Sequence, residues 1–477
     1  MTGLGVAAGR AWWQRYQDTF RKMLILSYPI VISQLGIIII AVTDNAMVGQ
    51  LGEEYLAAAG IANSVYMLIT ILGIGLTNVI APLTAAAQSK KSGGDLHDLL
   101  TNTLWISLLM GVAIAVILAV LAWNFTWFQQ TAEVSRLAVP YLMALGISAV
   151  PMCVFLGGKS FSEGLSIAKP ATYIVYVSVV LNVVFNWLLI FGNLGFPALG
   201  LVGAGIATII SRLATAVLMW AFIARSSRIR QYLPQIQWQQ AGGYWFKRIW
   251  FLGLPTGMQY FFEAGAFSGA AIMIGWLGTL PLAAHQVAIN LASATYMIII
   301  GVSAAGAIQV GQAAGYQDWH QARRAGISAL LLGGGFMALC GIGFLLGNQH
   351  LALLYGVENE QVLRLVSQLL ILAALFQLSD GIQAVGLGIL RGISDVTIPT
   401  LITLFAYWGI GLPLGYALAF WTDWGAVGMW IGLSVALTLS AILLNTRFFW
   451  LLGKRRKQQP HHDTLPNQEV KPNFENV

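Results

Sequence analysis

The chain has 477 residues, 57% of them hydrophobic and only 9% charged, with a net charge of +7 and a mean hydropathy of +0.73. Soluble domains carry about 25% charged residues, so the composition excludes a soluble enzyme and points to an integral membrane protein. The basic excess is sorted into short segments between apolar ones, which marks membrane topology and leaves no nucleic-acid footprint.

Residues 1–22, with Arg10, Arg15, Arg21 and Lys22, resemble the start of a signal peptide. The apolar stretch that follows is too long for one and lacks a small-x-small cleavage site, so it is taken as the first span. Stretches of roughly 20 apolar residues, enough to cross ~30 Å of hydrocarbon, are predicted at 24–48, 57–87, 98–122, 137–158, 171–191 and 201–224. After a basic linker, six more follow at 250–276, 283–311, 325–347, 363–388, 398–421 and 425–450. The resulting plan is an N-terminal segment (1–22), a six-helix lobe (23–224), a linker (225–249), a second six-helix lobe (250–452) and a tail (453–477). The tail is polar and expected to be disordered, with its basic start on anionic lipid. No length remains for a soluble catalytic domain.

Lys and Arg fall almost entirely before span 1 and after the even-numbered spans. The opposite loops hold only Arg136 and Arg364, while Arg212 and Arg447 lie within spans. Both termini are therefore expected on the cytoplasmic side of a plasma (inner) membrane. Cys153 and Cys340 lie in apolar segments and imply no disulfide framework.

The chain repeats itself. Shifted by 226 residues, MVGQLG (47–52) meets MIGWLG (273–278), Pro29 meets Pro255, and Ile74-Gly75 meets Ile300-Gly301. At nearly the same offset, GLVGAG (200–205) meets GAVGMW (425–430). Six spans per repeat is an even number, so both halves enter the membrane in the same sense. The expected fold is all-α: twelve transmembrane helices in two six-helix bundles, related by a pseudo-twofold axis along the membrane normal. A cleft between the bundles suits alternating access.

Three acidic residues lie well inside spans: Asp44, Glu263 and Asp380. A charge at mid-helix costs about 2.5–3.5 kcal/mol on insertion scales, so such residues usually face a cavity and serve a function. Thr256, Gln259 and Glu263 share one helical stripe, and Gln377, Asp380 and Gln383 share another. Asn182 and Asn186 stand one turn apart, with their amide oxygens expected to point the same way, and Ala204 and Thr208 repeat that spacing. Carboxylate, amide, hydroxyl and carbonyl oxygens are what a small hard cation accepts. Each amide could equally serve an interhelical hydrogen bond. Asp44 maps onto Ala270 and Glu263 onto Ile37, so the acids break the repeat and mark two different polar sites.

With these repeats, the LAAHQVAIN segment (282–290), acids in spans 1, 7 and 10, and ILRGISDVTIP (389–399), residues 22–452 resemble the multidrug and toxic compound extrusion (MATE) family. The resemblance implies export of organic compounds, mainly lipophilic cations or other xenobiotics, by a monomer with no cofactor, driven by inward Na⁺ or H⁺. Glu263 and Asp380 match the paired acids of the C-terminal lobe in the NorM-like branch. Asp44, Asn182, Asn186, Ala204 and Thr208 match the N-terminal polar cluster, and either set is a candidate Na⁺ site. The DinF-like branch usually has aspartate where Asn186 stands, which places the chain on the NorM-like side. Tyr296 matches a cavity tyrosine and, with Gln259, Phe376 and Gln377, is expected to line the substrate cavity. Some relatives carry tyrosine at Phe376, so one possible oxygen ligand is missing here.

Competing functions fit less well. GGKS (157–160) resembles the end of a P-loop, but the motif needs glycine at 153, where Cys153 sits, and a preceding strand. His285 is expected as a hydrogen-bonding residue at a helix end rather than a proton relay. Arg391 and Asp395 are expected to order a loop or form part of a gate. A lipid-linked oligosaccharide flippase of the same superfamily is the closest rival, but it would need a basic cavity.

Overall fold

The computed structural model describes residues 3–90, 93–232, 243–353 and 359–458. The first half comprises α1 (Gly3–Gly49), α2 (Glu53–Asn78), α3 (Ile80–Ser89), α4 (Gly93–Trp123), α5 (Ala132–Gly164), α6 (Lys169–Phe191) and α7 (Gly200–Arg225). The second comprises α8 (Tyr244–Trp276), α9 (Thr279–Gly315), α10 (Trp319–Leu353), α11 (Glu360–Gly392), α12 (Thr397–Leu404), α13 (Leu412–Phe420) and α14 (Gly425–Lys457). Among the described residues eleven helical segments are long and apolar enough to span a membrane. The twelfth membrane helix is α8, which carries Gln259 and Glu263 at its middle and Lys247 and Arg248 near its start. The fold is the expected one, twelve membrane helices in two six-helix bundles.

Several boundaries differ from the expectation, each for a local reason. The predicted span 57–87 is two helices broken at Val79. Pro82 has no N–H to give the Asn78 carbonyl, so the break falls one turn before it. The predicted span 398–421 is likewise interrupted by a π-helical turn, Phe405–Gly411, just ahead of Pro413. Helix α1 runs back through the supposed N-terminal segment, and α14 continues to Lys457, so the start of the tail is helical. The rest of the tail (459–477) and the middle of the linker (233–242) lie outside the described residues. Lys159, just beyond the predicted span 137–158, is inside α5 and buried.

The repeat is visible in the packing. Thr172 donates to the Pro29 carbonyl at 2.7 Å, and Thr400 donates to the Pro255 carbonyl at 2.8 Å. Each α5 and α11 end is seated through a glycine: a Cβ on Gly164 would lie 2.5 Å from the Ala81 oxygen, and one on Gly392 would lie 2.8 Å from that of Ala307. Both helices then break through a left-handed serine, Ser166 (φ 63°) and Ser394 (φ 59°).

The bundles meet through exchanged pairs, α1 on α9 and α8 on α2, with α3 also on α9. Small residues let these backbones approach, as membrane helices require when hydrophobic burial supplies little drive. A Cβ on Gly75 would sit 2.3 Å from the Gly257 Cα. At the repeat-related crossing, one on Gly301 would sit 2.5 Å from Val31 Cγ2. These crossings and the apolar cluster of Met23, Leu26, Ile30, Ala81, Ala305 and Leu390 lie in the half of the molecule that holds the termini. The bundles are closed against each other on that face.

Candidate functional site

The C-terminal bundle gathers polar side chains from α8, α9, α11 and the π-helical turn. Glu263 (7% exposed) accepts from the Tyr296 hydroxyl at 3.5 Å and from the Gln383 amide at 3.4 Å, both on Oε1. Its Oε2 is buried without a partner. Gln383 in turn accepts from the Tyr407 hydroxyl at 3.0 Å. Asp380 is buried on α11 one turn before Gln383, on the stripe expected from its spacing. Gln377 donates to Thr295 at 2.5 Å and leaves its own carbonyl oxygen unpaired and buried. This cluster thus holds two carboxylates and two orphaned buried oxygens, Glu263 Oε2 and Gln377 Oε1. Leaving such groups unpaired costs about 1–3 kcal/mol each.

Behind this site lies an aromatic wall. Phe376 packs on Trp430 (ring centroids 5.4 Å apart) and on Phe267 (5.9 Å), and Phe267 packs on Tyr407 (5.9 Å). Phe376 is therefore part of the bundle core and does not line the cavity between the bundles. His285 is buried and accepts from the Trp430 indole at 3.1 Å, a helix-end hydrogen bond to a neighbouring helix.

In the N-terminal bundle, Asn186 donates its amide nitrogen to Asp44 at 2.5 Å and to the Asn182 oxygen at 3.2 Å. The two amide oxygens therefore do not converge as the spacing predicted: Asn182 presents oxygen to Asn186, which presents nitrogen to Asp44. Thr208 donates to the Ala204 carbonyl at 2.9 Å, so that hydroxyl and carbonyl satisfy each other. Ser33 is buried, and Gln34 lines the inter-bundle cavity.

That cavity lies at the closed end of the cleft. Gln34, Asn78, Gln259, Tyr260 and Tyr296 line it, with Lys159, Glu163 and Arg391 as its charged groups. Lys159 and Glu163 are both buried and stand 3.4 Å apart across one turn of α5. Arg391 donates to the Tyr260 hydroxyl at 2.9 Å, and Tyr260 accepts from Asn78 of the other bundle at 3.3 Å. Asp395 instead faces Arg447 in a two-pronged pair at 2.6 and 3.0 Å, tying the loop after α11 to α14.

A family profile described as MatE matches residues 29–188 and 255–417. The two matches start at Pro29 and Pro255, the pair that anchors the internal repeat. The chain belongs to the MATE family. Among its relatives, a probable multidrug resistance protein NorM of Rhizobium meliloti is 36% identical over 439 residues, covering 91% of this chain and 94% of the relative. The NorM of Aliivibrio fischeri is 33% identical (92% and 96% covered), and the MdtK of Proteus mirabilis is 31% identical (92% and 97%). Solved MATE structures share the fold. A eukaryotic MATE transporter, AtDTX14, superposes with a TM-score of 0.82 at 22% identity, covering 93% of this chain and 99% of that one. An outward-facing multidrug resistance MATE transporter gives 0.83 at 21% identity, covering 92% and 97%.

Set against the MATE resemblance, Glu263, Tyr296 and Gln383 meet in one bundle with Asp380 beside them, and Asp44, Asn182 and Asn186 meet in the other. Sequence reasoning missed Tyr407, which lies in the π-helical turn and reaches Gln383 from there. It also missed the buried Lys159–Glu163 pair, whose signal was opposite charges one turn apart at the end of an apolar run.

Proposed function

We propose that this MATE protein is a secondary active multidrug exporter that moves lipophilic organic cations out of the cell against inward Na⁺ or H⁺. The observation that supports this most is the buried C-terminal pair, Glu263 and Asp380, with orphaned oxygens around it in a bundle that opens onto the inter-bundle cavity. Buried carboxylates exchange cationic partners because an unpaired charge in low dielectric is costly. A Na⁺ or H⁺ arriving at Glu263 or Asp380 removes the charge that holds an organic cation. It also changes the relative stability of the two faces through its differential affinity for them. With the termini on the cytoplasmic side, closure on their face makes this the outward-open arrangement.

The names of the relatives, multidrug resistance proteins, agree with this reading. The flippase alternative gains one observation: Lys159 and Arg391 line the cavity base, so it is less acidic than the sequence implied. The test is ethidium efflux from proteoliposomes with a Na⁺ gradient and a pH gradient imposed separately. Efflux driven by one gradient, and lost in the Glu263→Gln, Asp380→Asn double variant, is the expected result. Efflux undiminished in that variant would overturn the carboxylate mechanism. No ethidium movement, with transfer of a lipid-linked pyrophosphate, would establish the flippase.

A further inference from the structure

The charged groups near the cavity base are not held alike. Lys159 has Glu163 beside it, and Asp395, four residues beyond Arg391, faces Arg447 instead. Arg391 is buried, and among the described residues no carboxylate lies within ion-pair distance of it. Its side-chain contacts are with neutral groups. It donates to the Tyr260 hydroxyl at 2.9 Å and to the Leu387 carbonyl at 3.4 Å, and its guanidinium carbon lies 5.5 Å from the centroid of the Tyr260 ring. Arg391 therefore grips Tyr260 at both ring and hydroxyl. A guanidinium suits this task, because it carries several donors in a fixed plane and also stacks on an aromatic face.

Tyr260 is where a side-chain hydrogen bond joins the two bundles. Its hydroxyl oxygen also accepts from Asn78 of α2, at 3.3 Å. The approach is set one turn earlier on both helices, where Gly75 and Gly257 let α2 and α8 touch backbone to backbone. Arg391 and Tyr260 belong to one bundle and Asn78 to the other. When the bundles part on the terminal face, the Asn78 bond breaks, while Arg391 travels with Tyr260. The same two helices carry the C-terminal acids. Glu263 stands one turn after Tyr260 on α8, and Asp380 stands about three turns before Arg391 on α11. A change in how α8 sits against α11 at the acids thus reaches the Arg391–Tyr260 contact through two stiff helices.

We propose that Arg391 is a positioning residue for the transport cycle: it fixes Tyr260 in the orientation that takes the Asn78 bond, and so sets how firmly the terminal face closes. That role rests on the reading of the protein as an alternating-access exporter with Glu263 and Asp380 as its exchanging pair. Arg391 acts through Tyr260, and the bond it controls is made in only one of the two arrangements, so it biases the equilibrium between them.

The test is double electron–electron resonance on the purified full chain, with spin labels at Lys90 and His320, one exposed position on each bundle. Asn78→Ala should lower the closed-to-open ratio roughly two- to tenfold, the scale of one neutral hydrogen bond, and Tyr260→Phe should lower it by as much. Arg391→Met should also lower it in the parent chain, yet leave it unchanged in the Asn78→Ala background, where no bond remains to be positioned. An equal drop in both backgrounds would make Arg391 merely structural and overturn the proposal. So would an unchanged ratio in a folded Asn78→Ala chain. Should Arg391→Met fail to fold, Arg391→Lys, which loses the planar fork, is read in the same two backgrounds by the same criterion. The ratio is read without transport, so failure of the efflux assay and failure of this proposal are separate results.

Discussion

Closure of the terminal face rests on two repeat-related crossings, and they predict a graded response to a single methyl group. In Gly75→Ala the new Cβ would lie 2.3 Å from the Gly257 Cα and 2.5 Å from its nitrogen, so backbone meets backbone and no rotamer change relieves the clash. Ordinary contact needs the helices to part by about 1 Å, and overpacking of this kind costs about 1–3 kcal/mol. That cost falls on the arrangement with the terminal face closed and vanishes when the bundles separate there. The closed-to-open ratio should therefore drop by roughly 5- to 150-fold. Gly301→Ala meets Val31 Cγ2 first, at 2.5 Å, with the Val31 nitrogen at 3.0 Å. Side-chain rotation absorbs part of the clash, and the effect should be smaller. Gly335→Ala, with nothing within 4 Å, is the control. Spin labels at Lys90 and His320, both exposed on the terminal face, would report the separation by double electron–electron resonance. A longer distance should grow in the order Gly335→Ala, Gly301→Ala, Gly75→Ala. A folded Gly75→Ala protein with the distances of Gly335→Ala would refute the argument that this crossing holds the face shut.

Glu263→Gln alone should retain the Tyr296 contact while ion-coupled efflux falls at least about tenfold, because catalysis of exchange needs the charge and folding does not; unchanged monodispersity with lost efflux checks it. Tyr407→Phe removes the donor to Gln383 Oε1 in a fully buried setting, and melting in detergent should reflect a loss of about 1–3 kcal/mol. An unshifted melt would mean that Gln383 finds another donor. Asp395→Asn strands the Arg447 guanidinium, which is only partly buried, so a loss of about 1–3 kcal/mol is expected, below that of a fully buried pair. Faster hydrogen exchange at residues 393–396 would locate it. Glu133→Gln breaks a pair exposed on both sides, and the melting temperature should not move measurably.

The architecture was legible because it follows from quantities that sequence carries directly. Span length is set by bilayer thickness, and the 226-residue repeat fixes both bundle number and their relation. Stripes at helical spacing likewise put Gln383 on the inward face of α11 and Glu263 on that of α8, where the two meet. What sequence missed depends on single backbone events. One was the helix break at Val79 before Pro82, and another was the π-helical turn that carries Tyr407. The N-terminal amides were read as two converging oxygens because spacing gives a face and not which atom of an amide points where.

The charges show most plainly where pattern ends and packing begins. Asp44, Glu263 and Asp380 stood out because each interrupts an apolar run, and all three mark polar sites. Lys159 and Glu163 are buried as well, yet they sit in the last turns of α5, where sequence cannot tell a solvated helix end from one seated against a neighbouring helix. Seating is decided by Gly164, which lets α5 press on Ala81 and Thr84 and carries Glu163 into the cavity. The repeat-related Gly392 presses on Ala307 and Val310 in the same way, and it carries Arg391 into that cavity from the other side. The two bundles thus use one backbone device to bring opposite charges to their common base. They hold their mid-membrane acids differently, with the Asn182–Asn186 pair at Asp44 and Tyr296 and Gln383 at Glu263. A duplicated scaffold has kept its crossings and diverged in the charges it carries.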